Sequence, residues 1–218
     1  MALKVLDVCK EINGLGVVAI DCGANIGVHT IEWAKHMFGW GEVVSFEAQE
    51  KIYYALAGNV TLNNCFNARV FHAAVGLECG TIQIPVPDYF KPASFGSLEI
   101  HQKPSSEFIG QNLSLQNLQS ISLVSLDSLQ ISRLDFIKID VEGMELDVLK
   151  GASETIGKFK PVMIIEVIKS DKEALVSYLK EFGYIAFEVG LNFLAVPSKS
   201  PIRDRIFESV FRKKSSCL

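Results

Sequence analysis

Acids and glycines follow the ends of apolar segments in this chain, at a spacing typical of a nucleoside site. Asp21 and Gly23 come directly after one apolar segment, and Gly27 follows four residues after Gly23. Glycines at such positions let the backbone approach a ligand where a Cβ would collide. Glu47 ends a second apolar segment, and in open α/β folds an acid at that place takes ribose hydroxyls. The spacing therefore predicts a nucleoside-binding turn.

Three further acids follow other apolar segments. Asp140 and Glu142 are two residues apart and precede a glycine, and Glu166 ends the next apolar segment. Ligands in open α/β sheets bind at the carboxyl ends of strands, so we expect all three acids at the edge that carries Gly23. Converging carboxylates of this kind indicate acid–base catalysis or a cation site, and Mg²⁺ prefers such oxygen ligands.

The pattern D-x-G-x-N-x-G favours S-adenosylmethionine (SAM) over NAD. A dinucleotide loop has the pattern G-x-G-x-x-G, whereas Asn25 holds the middle position here. The Asp21 carboxylate suits the ammonium or sulfonium charge of SAM and would repel a pyrophosphate. Small side chains at Ala73 and Ala74 would let a flat base approach. The predicted cofactor contacts are Asp21, Gly23, Asn25, Gly27, Glu47, Ala73, Ala74 and Asp140. A tight turn without a ligand and an NAD-dependent oxidoreductase are the alternatives.

Alternating strand and helix patterns must position these residues. The strands predicted from apolar, β-branched runs are 17–21, 42–46, 68–75, 134–140 and 162–166, followed by the pair 184–188 and 192–196. Helical spacing predicts a helix that begins near Asn25 and another over residues 146–156. Parallel strands joined by helices form a sheet buried on both faces. We therefore predict an α/β fold with a Rossmann-like, mostly parallel seven-stranded sheet, helices on both faces and one antiparallel strand near the C-terminus.

The amino-acid composition limits the classes of function that this chain can have. The 218 residues are 49% hydrophobic and 21% charged, which predicts a single globular domain over 1–218. The net charge of −4 gives no bulk attraction for nucleic acid. No apolar run reaches the length of a transmembrane span. No signal peptide is recognisable, and the five cysteines are scattered, which favours a reduced, cytoplasmic protein. A homo-oligomer is compatible with these features.

Two segments depart from the alternating pattern. Residues 77–125 have no strong helical period and are rich in Pro, Ser, Gly and Gln, so we predict an insertion that covers the site as a lid. For His101 in this segment, a catalytic role and a solvated loop position are the alternatives. Residues 201–214 form a short amphipathic tail with basic residues, for which packing on the domain or a partner is favoured over a membrane surface.

The chain resembles the FkbM-type methyltransferase family. The matching segments are the turn 21–27, the string I-K-I-D-V-E-G-M-E at 137–145, and residues 125–129, 149–152 and 161–166. The resemblance extends over about residues 17–197. It implies SAM-dependent methylation, commonly of a hydroxyl oxygen on a sugar, glycan or natural product. Residues 93–97 are similar to an acceptor-side loop of the family, but lack an asparagine that many members carry. A SAM-binding module without catalysis is the alternative.

The resemblance suggests roles for the three acids. Asp140, at the strand end beside the expected methyl group, is our first candidate for the general base or for orienting the acceptor. Glu142 and Glu166 would orient the acceptor or hold a divalent cation. A structural role is the alternative for Glu142, which would then bond backbone N–H groups at the start of the following helix. We expect Glu145 to be a first-turn helix residue.

Overall fold

The computed structural model describes residues 1–100, 108–113 and 117–211, with only the backbone of Phe211. The strands of this part of the chain are β1 Val17–Cys22, β2 Gly41–Glu47, β3 Ala68–His72, β4 Ala74–Val75, β5 Gly80–Pro85, β6 Leu118–Val124, β7 Phe136–Ile139, β8 Val162–Glu166, β9 Tyr184–Val189 and β10 Asn192–Pro197. The α-helices are α1 Ala2–Asn13, α2 Val28–His36, α3 Glu50–Leu62, α4 Glu145–Lys150, α5 Ser153–Phe159, α6 Lys172–Glu181 and α7 Pro201–Ile206. A π-helical turn, Phe207–Phe211, follows α7.

The main sheet has the strand order β3-β2-β1-β7-β8-β10-β9. Neighbouring strands from β3 to β8 are parallel, and β10 is antiparallel to both β8 and β9. The prediction of a mostly parallel seven-stranded α/β sheet with one antiparallel strand is therefore confirmed. The carboxyl ends of β1, β2, β7 and β8 lie at one edge, which is where ligands bind in this class of fold.

Both faces of the main sheet are covered by helices. Alternate residues of β1 enter opposite cores, with Ile20 on one side and Ala19 on the other. The Ile20 side packs against α4, α5 and α6, for example through Val148. The Ala19 side packs against α1, α2, α3 and α7, for example through Trp33. Burial on two faces explains why β1 is apolar at every position except Asp21 instead of alternating.

The strand predicted over 68–75 is two strands. β3 belongs to the main sheet, whereas β4 joins a separate small sheet with the order β4-β6-β5. Ala73 lies at the break, where its backbone N–H donates to the Glu47 carbonyl oxygen at 3.1 Å. The chain therefore leaves the main sheet at the point where Ala73 and Ala74 face the ligand edge.

Helix boundaries also differ from the sequence prediction. α2 begins at Val28, because Asn25 has φ +52° and Gly27 has φ +92°, which are incompatible with a right-handed helix. The helix predicted over 146–156 is interrupted between α4 and α5. Gly151 lies there against the Gly76 carbonyl oxygen, where a Cβ would collide. α1 was not predicted.

The described part of the predicted insertion, 77–125, contains the strands β5 and β6. The predicted His101 lies outside the described residues, as do residues 212–214 of the tail. In the described part of the tail, α7 buries Ile202 and Ile206 against the core that contains α1. No helix in the described ranges is long and apolar enough to cross a membrane.

Candidate active site

The turn after β1 depends on glycine at position 23. Gly23 has φ +78°, and a Cβ there would collide with the carbonyl oxygen of Asp140. The backbone N–H groups of Gly23 and Ala24 both donate to the Phe46 carbonyl oxygen, at 3.0 and 2.9 Å. Gly23 thus brings the ends of β1, β2 and β7 into direct contact. Gly27, also predicted as a cofactor contact, packs instead against α3, since a Cβ there would lie 2.6 Å from Leu56 Cδ1.

Glu47 holds the turn from the neighbouring strand. Its Oε2 accepts from the Asn25 backbone N–H at 2.9 Å, and its Oε1 accepts from the Gln49 backbone N–H at 2.8 Å. Burial raises the pKa of this carboxyl, while the N–H bonds from Gln49 and Asn25 oppose that shift. Glu47 also lines the cavity described below. It is therefore fixed in one orientation with part of its carboxylate facing the ligand space.

Asp21 lies beneath the cavity and does not line it. The residue is fully buried, and its Oδ2 accepts from Thr30 Oγ1 at 2.8 Å. Asp21 is the register partner of Lys138, whose Nζ lies 3.9 Å from Asp21 Oδ1 and 2.7 Å from Asp140 Oδ2. The structure thus does not bring Asp21 to the cofactor space but connects it to Asp140 through Lys138.

Two positions were considered for Glu142, one facing the ligand and one bonding the backbone. In the structure Glu142 faces the cavity, and Glu145 bonds the backbone. The structural role weighed for Glu142 belongs to Glu145, whose Oε1 accepts from the backbone N–H groups of Val141 and Gly143 at 3.2 and 3.1 Å. Glu142 has φ +55° and faces the cavity. Its Oε2 lies 2.6 Å from Lys169 Nζ. Burial raises the pKa of Glu142, and the Lys169 ammonium opposes that shift.

Glu166 completes the group of three acids. Carboxylate oxygens of Asp140, Glu142 and Glu166 lie within 4.8 Å of one another, a spacing that could hold a metal ion. Burial, followed by the nearby negative charges of Asp140 and Glu142, raises the pKa of Glu166 to about 7. Lys138 and Lys169 already pair with two of the acids. These lysines supply positive charge at the place where a cation would bind.

A cavity of about 370 Å³ connects these groups, within the range of roughly 300–1,000 Å³ for small-molecule sites. Predicted residues in its wall are Gly23, Asn25, Glu47, Ala73, Ala74, Asp140, Glu142 and Glu166. Gly96, Leu98 and Ile100 of the insertion also line it. The sequence reasoning missed Lys138, although a lysine inside an apolar strand, two residues before Asp140, is a visible signal. It also missed Lys169, which carries no local pattern.

The sheet is doubly wound, with a glycine turn after its first strand and an acid at the end of its second strand. These features define the Rossmann-like, nucleoside-binding class of α/β protein. The methyltransferase FkbM domain model matches residues 21–186. The chain therefore belongs to the FkbM methyltransferase family, as the sequence resemblance indicated.

Two relatives are similar over most of the domain. Methyltransferase sdnD of Sordaria araneosa is 25% identical over 171 residues, covering 68% of this chain and 66% of that protein. Methyltransferase 1 of Beauveria bassiana is 22% identical over 165 residues, covering 69% and 64%. The chain thus spans about two thirds of the length of these relatives. The present structure is similar to the crystal structure of methyltransferase FkbM from Methylobacillus flagellatus KT, with a TM-score of 0.56 and 21% sequence identity. The match covers 78% of this chain and 39% of the Methylobacillus chain. This likeness confirms the fold.

Proposed function

We propose that this protein transfers the methyl group of SAM to a hydroxyl oxygen of a small molecule, sugar, glycan or natural product. The observation that carries the proposal is the contact between Gly23 and the Asp140 backbone. It places the candidate cofactor turn and the candidate base in the wall of one cavity. Membership of the FkbM family supports the same reaction class.

The residues in the wall fit the adenosine part of SAM. Each Glu47 oxygen accepts one backbone N–H and keeps a further lone pair for a ribose hydroxyl. Ala73, Ala74 and Val75 form a wall of small side chains beside it, which suits a flat base. Phe46 adds apolar surface. Glu47, Ala73 and Ala74 would hold the nucleoside, while Gly23 and Asn25 would face the amino-acid end.

Asp140 is the proposed base. When bound, SAM supplies a methyl group on a positively charged sulfur. Asp140 accepts the hydroxyl proton as the acceptor oxygen bonds to the methyl carbon and the carbon–sulfur bond breaks, which leaves S-adenosylhomocysteine (SAH). Lys138 fixes the Asp140 carboxylate at 2.7 Å, and Glu166 and Glu142 orient the acceptor. A positioned base of this type contributes roughly 10²–10⁴-fold to a rate.

Binding and turnover together test the proposal. Calorimetry should show binding of SAM and SAH and none of NAD, and mass spectrometry with candidate hydroxyl acceptors should show methylated product. Asp140→Asn should lower turnover by roughly 10²-fold or more while SAM still binds. Binding of NAD instead of SAM would overturn the cofactor assignment. SAM binding without any methylated product would leave a binding module, and undiminished turnover in Asp140→Asn would remove Asp140 from the base role.

A further inference from the structure

One segment of the insertion lines the cavity between the turn after β1 and the group of three acids. We call residues 93–100 the strap. Gly96 of the strap lies against the turn, since a Cβ there would be 2.5 Å from Asn25 Nδ2. Leu98 and Ile100 continue along the cavity wall. A ligand inside the cavity is therefore covered by the strap along this side.

The strap is attached near the nucleoside end by Gln49. The Gln49 Nε2 donates to the Phe95 carbonyl oxygen at 2.7 Å, and Gln49 is 8% exposed. The Tyr89 hydroxyl donates to Gln49 Oε1 at 3.2 Å. This attachment joins the strap to the backbone that follows Glu47.

At the acid end, the strap is attached by Lys169, which lies in the loop after β8. Lys169 Nζ donates to the Ser97 carbonyl oxygen at 3.0 Å and lies 3.8 Å from Glu99 Oε1. The same ammonium group is 2.6 Å from Glu142 Oε2. The side chains of Lys169 and Glu142 are 12% and 17% exposed, so solvent screens this pair only weakly.

We propose that Lys169 is a positioning residue that fastens the strap over the cavity and, with the same ammonium group, orients Glu142 toward the acceptor. An ammonium has three donors, which is sufficient for Ser97 and Glu142 together. Attachment of the strap at its acid end and orientation of the Glu142 carboxylate are then coupled, because both depend on the same ammonium group. The part of the inference that concerns the acceptor rests on the proposed function, whereas the attachment of the strap does not.

Hydrogen exchange of the unliganded protein tests the attachment directly. Lys169→Met keeps the length of the side chain and removes its charge. Exchange of the Ser94 and Ser97 amides, which donate to the carbonyl oxygens of Ile109 and Ser94, should accelerate by about tenfold or more. Lys169→Arg, which keeps the charge and donors, should restore most of the protection.

Lys172→Met is the matched control. Lys172 also forms a 2.6 Å ion pair, with Glu188, but both side chains are about half exposed, and no hydrogen bond or ion pair among the described residues joins them to the strap. This variant should exchange as the wild type does. Unchanged strap exchange in Lys169→Met would overturn the proposal. Equal acceleration in peptides of β1 and β7 would also overturn it, because Lys169 would then only stabilise the whole fold.

The dissociation rate of SAH provides the second readout. Lys169→Met should release SAH about tenfold faster than the wild type, and Lys172→Met should not differ from it. An unchanged rate would contradict the role of the strap in covering the ligand. If the wild type binds neither SAM nor SAH, the proposed function fails, and the exchange result alone decides whether Lys169 fastens the strap.

Discussion

Replacing Lys138 by methionine should destabilise the protein strongly, because this lysine compensates a carboxylate with no access to water. Asp21 is fully buried, and in the described part of the chain its Oδ1 has no hydrogen-bond partner. Lys138 Nζ is 3.9 Å from that oxygen. Burial alone would lower the pKa of Lys138, but Asp21 and Asp140 together outweigh it and the pKa is raised. The lysine is therefore charged.

The size of the effect follows from this geometry. Two unit charges about 4 Å apart interact by about 4 kcal/mol at an effective dielectric constant near 20. Removing one partner of a buried pair costs about 3–5 kcal/mol in measured cases. For a chain of 218 residues, each kcal/mol lowers the melting temperature by about 2–4 °C. Lys138→Met should thus lower the melting temperature by about 6–20 °C.

Thermal and urea unfolding of four proteins provide the assay. They are the wild type, Lys138→Met, Asp21→Asn and the double variant. Asp21→Asn in the Lys138→Met background should recover much of the lost stability, because it removes the uncompensated charge. The double-mutant cycle then gives the coupling between the two side chains. A melting temperature of Lys138→Met within about 2 °C of the wild type would refute the reasoning, as would a cycle with no coupling.

Two further predictions concern the turn and the acid group. In urea unfolding, Gly23→Ala should lower the free energy of unfolding by several kcal/mol more than Gly39→Ala does. Both glycines have φ near +78°, but only at Gly23 would a Cβ collide with a backbone oxygen. Equal losses in the two variants would contradict the contact with Asp140. The pKa of Glu166 is raised from 4.5 to about 7 in the folded protein, so the folded state binds this proton more tightly than the unfolded state does. The stability that proton binding contributes is therefore lost as the pH rises from about 4.5 to about 7. The stability of the wild type relative to Glu166→Gln should therefore fall between about pH 4.5 and 7, and a flat difference would refute the shift.

The sheet and the positions of most site residues were predictable, because both follow from local patterns. Glu47 and Asp140 end apolar segments, and parallel strands bring such ends to one edge. The direction in which Asp21 points was not predictable in the same way. Its side chain faces Lys138 because the two residues are in register on neighbouring strands. Register between β1 and β7 depends on the packing of the whole sheet and has no signal in either segment.

Contacts between distant segments account for the remaining differences. Lys169 meets Glu142 and Ser97, which are 27 and 72 residues away along the chain, so no local spacing relates them. The break at Ala73 depends on pairing of β4 with β6, and β6 begins 43 residues after β4 ends. The contacts of Ser97 and β6 form when the insertion packs on the main sheet, whereas Lys169 meets Glu142 because they follow the neighbouring strands β8 and β7. The apolar periodicity of single segments carries no information about them.

The two hydrogen bonds of Glu47 have a consequence for attempts to change the cofactor. The acid at the end of the second strand is an attractive residue to replace when a new nucleotide preference is wanted, since it faces the ribose in this class of fold. Here its two oxygens also hold the backbone at Asn25 and Gln49. Exchanging Glu47 for a smaller or basic residue would release the left-handed turn at Asn25 as well as remove the proposed ribose contact. A redesign of cofactor specificity must therefore supply new acceptors for these two amides before it alters any ligand contact.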